Sequence, residues 1–114
     1  MPRKATACLI EMREACEFLS DCASTMTFAE YRQSKMARFA VKRCFITLGE
    51  AVKQLNLHHP AIGSTFSERV GMIAFRNVIV HEYWSVDDED VWSIIVAKVP
   101  LLKALIDQTI KSLP

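Results

Sequence analysis

Arg76, Asn77, His81 and Tyr83 fall within one short stretch of the chain, Arg76-Asn-Val-Ile-Val-His-Glu-Tyr-Trp84. On a helix, at about 100° per residue, Asn77 and His81 are four apart and share a face. Ile73 and Val70 precede them on that face, so the polar pair continues an apolar stripe. Arg76 and Tyr83 are seven apart and come nearly into line, two turns along an adjacent face. A helix here would offer a fixed cation, an amide, an imidazole and a phenol from one patch. Each type suits phosphodiester chemistry. Histidine titrates near neutrality and can take or give a proton. Arginine stays charged, and its fork matches phosphate oxygens. Asparagine can orient the ring or bind a phosphate oxygen. No metal is needed where the 2′-hydroxyl of RNA is itself the nucleophile. The bland alternative is a satisfied core: His81 bonded to Asn77, Arg76 on the surface, Tyr83 as packing with a wet tip.

Other chemistries find little support. The three glycines, Gly49, Gly63 and Gly71, are dispersed, so there is no phosphate-cradling loop. There is no HExxH or EF-hand pattern. His58 and His59 are adjacent in a loop beside Pro60, a poor geometry for chelating one metal. No metal site or cofactor is expected. Cys8, Cys16, Cys22 and Cys44 match neither a redox pair nor a zinc knuckle. Cys8 and Cys16 lie on an apolar helical stripe and read as buried thiols.

Positioning the cluster falls to amphipathic helices. Leu9, Met12, Cys16 and Leu19 mark a first helix over 5–21, and 22–27 should turn. Thr27 and Glu30 form a capping box that opens a long helix to about Leu57. Phe28, Tyr31, Phe39, Phe45, Leu48, Val52 and Leu55 supply its apolar surface. Gly49 inside it costs ~1 kcal/mol against Ala. It marks either a close approach by another backbone or a tolerated weak spot. Residues 57–64 read as a loop. Thr65 and Glu68 suggest a second capping box, opening a third helix through about Glu82. The β-branched Val78-Ile-Val80 alone would read as strand. A fourth helix starts around Ser85-Val-Asp-Asp88, its acidic first turn complementing the helix dipole. Val91, Ile95, Val99, Leu102, Ile106 and Leu113 hold one face through Pro100, where a kink or break is expected. The result is an all-α, antiparallel four- to five-helix bundle, one domain over 1–114.

A chain of 114 residues with 51% hydrophobic and 24% charged residues can bury a core of its own. The net charge of +1 excludes a strongly basic nucleic-acid binder on bulk charge alone. The charge is uneven, however. Residues 1–57 carry nine Lys/Arg against six Asp/Glu, and residues 58–114 carry five against seven. Five cations and no anion lie between Tyr31 and Arg43. Arg32, Lys35, Arg38 and Lys42 step by three, three and four, forming a basic stripe that is either a solvated face or a strip for an RNA backbone. No apolar run reaches the ~18–20 residues of a membrane span. Met1-Pro-Arg-Lys-Ala5 lacks an apolar signal stretch. No membrane association and a cytoplasmic location are expected.

Phe75-Arg76-Asn77-Val-Ile-Val-His81-Glu82-Tyr83 resembles the Arg-x4-His-x-Tyr motif of HepT-like proteins, small ribonucleases of the HEPN superfamily. Leu48-Gly49-Glu50-Ala51 is similar to the family's Gly-Glu-Ala, and His59-Pro60 precedes the motif helix as in the family. Val86-Asp87, Val91-Trp92 and Val99-Pro100-Leu101 are similar to its closing helix. The resemblance covers about residues 5–106. Two positions depart from the pattern: only Phe66 stands where a bulky apolar residue usually precedes the third helix, and Phe75 stands where Met is common. They bear on substrate fit and dimer packing rather than on the reaction.

The resemblance implies a metal-independent endoribonuclease toxin of a type II/VII-like toxin–antitoxin system, paired with a minimal nucleotidyltransferase antitoxin. Arg76 would hold the scissile phosphate, His81 would act as general acid/base and Asn77 would support them. Products would carry a 2′,3′-cyclic phosphate and a 5′-hydroxyl. The family acts as a homodimer, its two motifs facing across a cleft, so the stripe with Asn77 and His81 would face a partner chain. Tyr83 matches the tyrosine that the antitoxin modifies with AMP. An alternative of another class is a non-catalytic HEPN substrate-binding or adaptor subunit of a small nucleotidyltransferase. A third is a plain helical dimerisation domain, in which the polar cluster is dispensable.

Overall fold

A computed structural model describes residues 4–114; Met1–Arg3, part of the N-terminal reading above, lie outside the described residues. The chain is all-α. Its helices are α1 (Ala5–Thr25), α2 (Phe28–Gln33), α3 (Lys35–His58), the single turn α4 (Pro60–Gly63), α5 (Arg69–His81), α6 (Asp88–Ala97) and α7 (Val99–Ser112), with a 3-10 turn at Tyr83–Ser85. The bundle measures 43 × 28 × 22 Å. Helix α3 is its spine: α5 packs along one side of it, α1 along another, and α7 covers α1. The core joins Leu9, Met12, Cys16 and Leu19 of α1 to Val41, Leu48, Val52 and Leu55 of α3 and Val91, Ile95, Val99 and Ile106 of α6 and α7. Among the described residues no helix is long and apolar enough to cross a membrane.

Several local expectations are corrected. The first helix continues to Thr25 rather than turning at 22, and the Ser24 and Thr25 hydroxyls donate back to the Asp21 carbonyl. The Thr27–Glu30 capping box forms with both bonds, but its helix ends after six residues. Ser34 is extended there and caps a new helix through the Ala37 N–H, 3.0 Å away. Two competing caps thus split the long helix. The supposed 57–64 loop holds α4, with Pro60 in its first turn, where a missing N–H costs nothing. The Thr65–Glu68 box does not form, and the motif helix starts at Arg69. Phe66, only 1% exposed, is drawn into the core, which holds 64–68 in turns. The Glu68 carboxylate lies 3.7 Å from Lys98 instead. Ser85 falls in the 3-10 turn, and Asp87 is the true cap, accepting from Glu89 N–H at 2.8 Å. The break at Pro100 is present: α6 ends at Ala97 and α7 begins at Val99.

Among the described residues none of the four cysteines forms a disulfide; Cys8, Cys16 and Cys22 are buried and Cys44 half-buried. Burial pushes the Cys16 thiol up to about 12, with Cys44 adding to the rise, and burial pushes Cys44 up to about 11. The Tyr31 phenol is also raised, by burial first and then by Asp88. In the unfolded chain the thiols lose their protons near the ordinary value of 9.0. Folding holds these protons on, so the associated stability is full below pH 9 and is lost as pH rises toward the folded values. Thermal unfolding followed by circular dichroism should therefore show a midpoint that falls from about pH 9 upward, and Cys16→Ala should flatten that fall.

Candidate active site

The motif stretch is helical through His81, despite its β-branched centre. Tertiary packing decides this: Ile79 is buried against α3, and Phe75 meets Phe45 edge-on at 5.2 Å. Arg76 faces α3. A Cβ on Gly49 would collide with Arg76 Cβ and lie 2.9 Å from the Met72 carbonyl, so the bare glycine is what lets the two backbones approach. The approach lays the Arg76 side chain along α3, where Nη2 donates to Glu50 Oε1 at 3.2 Å. Its other terminal nitrogen, Nη1, donates to Asn77 Oδ1 at 3.0 Å. The guanidinium side chain is only 25% exposed, and its Nε is buried without an acceptor among the described residues.

Asn77 and His81 are exposed on the outer side of α5, and His81 is its last helical residue. The bland core arrangement is not what forms. Asn77 bonds Arg76, and it is Arg76 rather than His81 that is held inside. Exposed Val70 and Val80 border the same outer face. The alignment of Arg76 with Tyr83 fails, because the helix ends between them and Tyr83 opens the 3-10 turn. The turn carries the ring toward α3, where Lys42 Nζ lies 5.2 Å from its centroid.

The basic stripe is corrected in one member. Arg32 belongs to α2, across the break at Ser34, and accepts through its backbone carbonyl a bond from Arg38 Nη1. Lys35, Arg38 and Lys42 keep a common face on α3. A concavity of about 380 Å³ lies elsewhere, between the start of α5 and the α6–α7 junction, with Phe45, Leu48, Met72 and Leu102 in its walls. Among the described residues no three His, Cys, Asp or Glu side chains gather as metal ligands. The Glu50 contact joins α3 to α5 across 26 residues and has no trace in the spacing of the motif itself. The Gly49-Glu50 pair was the available signal, and only the fold brings it to Arg76.

A family model described as Ribonuclease HepT-like matches residues 12–109. The chain belongs to the HepT-like ribonuclease family. It is 30% identical to "Putative RNase MJ0127" of Methanocaldococcus jannaschii, over 99% of this chain and 93% of the relative. It is 28% identical to "Putative RNase MJ1216" of the same organism, again over 99% and 93%. "Probable ribonuclease HepT" of Thermococcus cleftensis is 26% identical, over 90% of this chain and 93% of the relative. No solved structure matches. In this HepT-like chain the matched region takes in α3 and α5, and so all of the Arg76, Asn77, His81 and Glu50 arrangement.

Proposed function

We propose that this HepT-like chain is an endoribonuclease toxin that cuts RNA without a metal, using the RNA 2′-hydroxyl as nucleophile. The observation that carries the reading is the clamped Arg76. Glu50, Asn77 and the Gly49 contact hold its guanidinium in one place, five residues along the same helix from an exposed imidazole. A preset cation and an exposed proton carrier on one helix suit phosphoryl transfer to an internal hydroxyl. The 2′-oxygen attacks phosphorus, the bond to the 5′-oxygen breaks, and the fragments end in a 2′,3′-cyclic phosphate and a 5′-hydroxyl. Arg76 balances the charge that grows on the phosphorane oxygens. One imidazole does one proton job per step. A homodimer with the α5 outer faces opposed supplies two His81 rings, one taking the 2′ proton and one protonating the leaving oxygen. Val70 and Val80, 75% and 43% exposed on that helix, are the apolar side chains a second copy would cover. The expected partner is a minimal nucleotidyltransferase antitoxin, which silences the toxin by transferring AMP from ATP to the Tyr83 hydroxyl, with pyrophosphate leaving. The ring is half-exposed and reachable, and the added anion would stand beside Lys42 and two residues from His81.

Expression without a partner tests this. The wild-type chain should arrest growth and yield RNA ends bearing cyclic phosphate in the presence of a chelator. His81→Ala should lower cleavage by about 10²–10⁴-fold. Co-expression with the nucleotidyltransferase should restore growth and add one AMP mass, mapped to Tyr83. Wild type and His81→Ala being equally harmless, with no such ends, would overturn the reading.

A further inference from the structure

Phe39 is an aromatic residue with no place in the core. It is 52% exposed on α3, and Lys35 Nζ stands 5.9 Å from its ring centroid. Tyr83, equally exposed at 52%, sits at the end of α5 with Lys42 over its ring. Both rings line one shallow groove of about 310 Å³, whose other walls are Lys42, Arg43, Ile46 and Ile79. The groove thus joins two accessible aromatic faces and an aliphatic floor to two cations. The chain around it, from Arg32 to Arg43, has five cations and no anion. Ile79 and Tyr83 bracket His81 in sequence, which puts the groove at the imidazole end of α5.

This is the chemistry that holds unpaired nucleotides: a π-surface for the base and nearby cations for the backbone. A peptide helix would want a longer apolar groove without cations in its wall. A duplex keeps its base faces stacked inside and could use only the charge. We propose that the Phe39–Tyr83 groove is a nucleotide subsite that stacks one unpaired RNA base, with its phosphates on Lys42 and Arg43, so that the substrate is single-stranded beside the cut. The proposal deepens the ribonuclease reading and rests on it for the nature of the ligand.

The test uses full-length His81→Ala protein, so that bound RNA is not cut. Fluorescence anisotropy follows a labelled oligoadenylate and, separately, its duplex with oligouridylate. The single strand should bind more tightly than the duplex. Adding Phe39→Leu should weaken single-strand binding about 5- to 150-fold. It should leave the salt dependence unchanged, since no charge is lost, and Phe39→Trp should restore binding. Reversing Lys35 and Arg38 together should instead reduce the salt slope. Equal binding of single strand and duplex, an unaffected Phe39→Leu protein, or no RNA binding at all would overturn the subsite. Cleavage by the chain with His81 intact is scored separately. Phe39-dependent binding without cleavage of any RNA would sink the nuclease reading and leave the subsite standing.

Discussion

Replacing Arg76 with Lys should reduce RNA cleavage by about 10²–10³-fold, the scale of losing one preset donor to a developing oxyanion. The charge is kept, so an electrostatic role of the site in general would predict little change. The loss follows from the fork. Arg76 uses Nη1 on Asn77 and Nη2 on Glu50, and those two anchors fix the plane of the guanidinium. The remaining N–H groups are thereby aimed before substrate arrives. A lysine ammonium is a point charge on a flexible stem and cannot satisfy both anchors while presenting further donors in a plane. Asn77 Oδ1 would lose its donor, and Glu50 would be free to swing toward the ammonium or into water. Since the phosphorane carries more charge than the ground-state diester, the defect should appear mainly in kcat under single-turnover conditions. RNA affinity, supplied largely by the α3 cations, should change much less. A parallel fall in KM-limited and saturating rates would mark Arg76 as a group acting in the transition state. An Arg76→Lys protein cutting at the wild-type rate would remove the guanidinium from the mechanism.

Much of this arrangement is legible in the sequence, for identifiable reasons. Local devices read well where nothing competes with them. Thr27 and Glu30 make both bonds of their box, and Pro100 ends up just inside the helix that follows the break. The i, i+4 relation of Asn77 and His81 survives because helical geometry alone sets it. Local signals mislead where tertiary packing overrides them. The Thr65–Glu68 box is chemically sound, but burying Phe66 removes far more apolar surface from water than one cap bond offsets. The split at Ser34 was hidden because the apolar positions run on across it. Periodicity also counted Phe39 with the core residues, although its ring faces solvent, since spacing does not distinguish a packed ring from an exposed one. The Arg76–Glu50 pair spans 26 residues and exists only once α3 and α5 have met.

Gly49→Ala should separate stability from activity. In a helix interior Ala is favoured over Gly by about 1 kcal/mol, so propensity alone predicts a stabilised protein. The new methyl, however, has no room. It would collide with Arg76 Cβ and stand 2.9 Å from the Met72 carbonyl oxygen. Neither is the free end of a side chain that could swing aside. Relief requires α5 to move away from α3, and overpacking of this kind costs about 1–3 kcal/mol. The two effects nearly offset each other, so the thermal midpoint should fall only modestly. Cleavage should fall much further, by about 10²-fold, because Arg76 is carried on the displaced helix and a shift near 1 Å spoils a preset reaction geometry. Gly71→Ala is the matching control. It adds a methyl to a helical glycine on α5 itself, but the nearest atom is Glu68 Oε2 at 3.9 Å. That variant should keep full activity and melt slightly higher. If Gly49→Ala instead behaved like Gly71→Ala in both melting and cleavage, the close approach of α3 and α5 would have no part in holding Arg76 for catalysis.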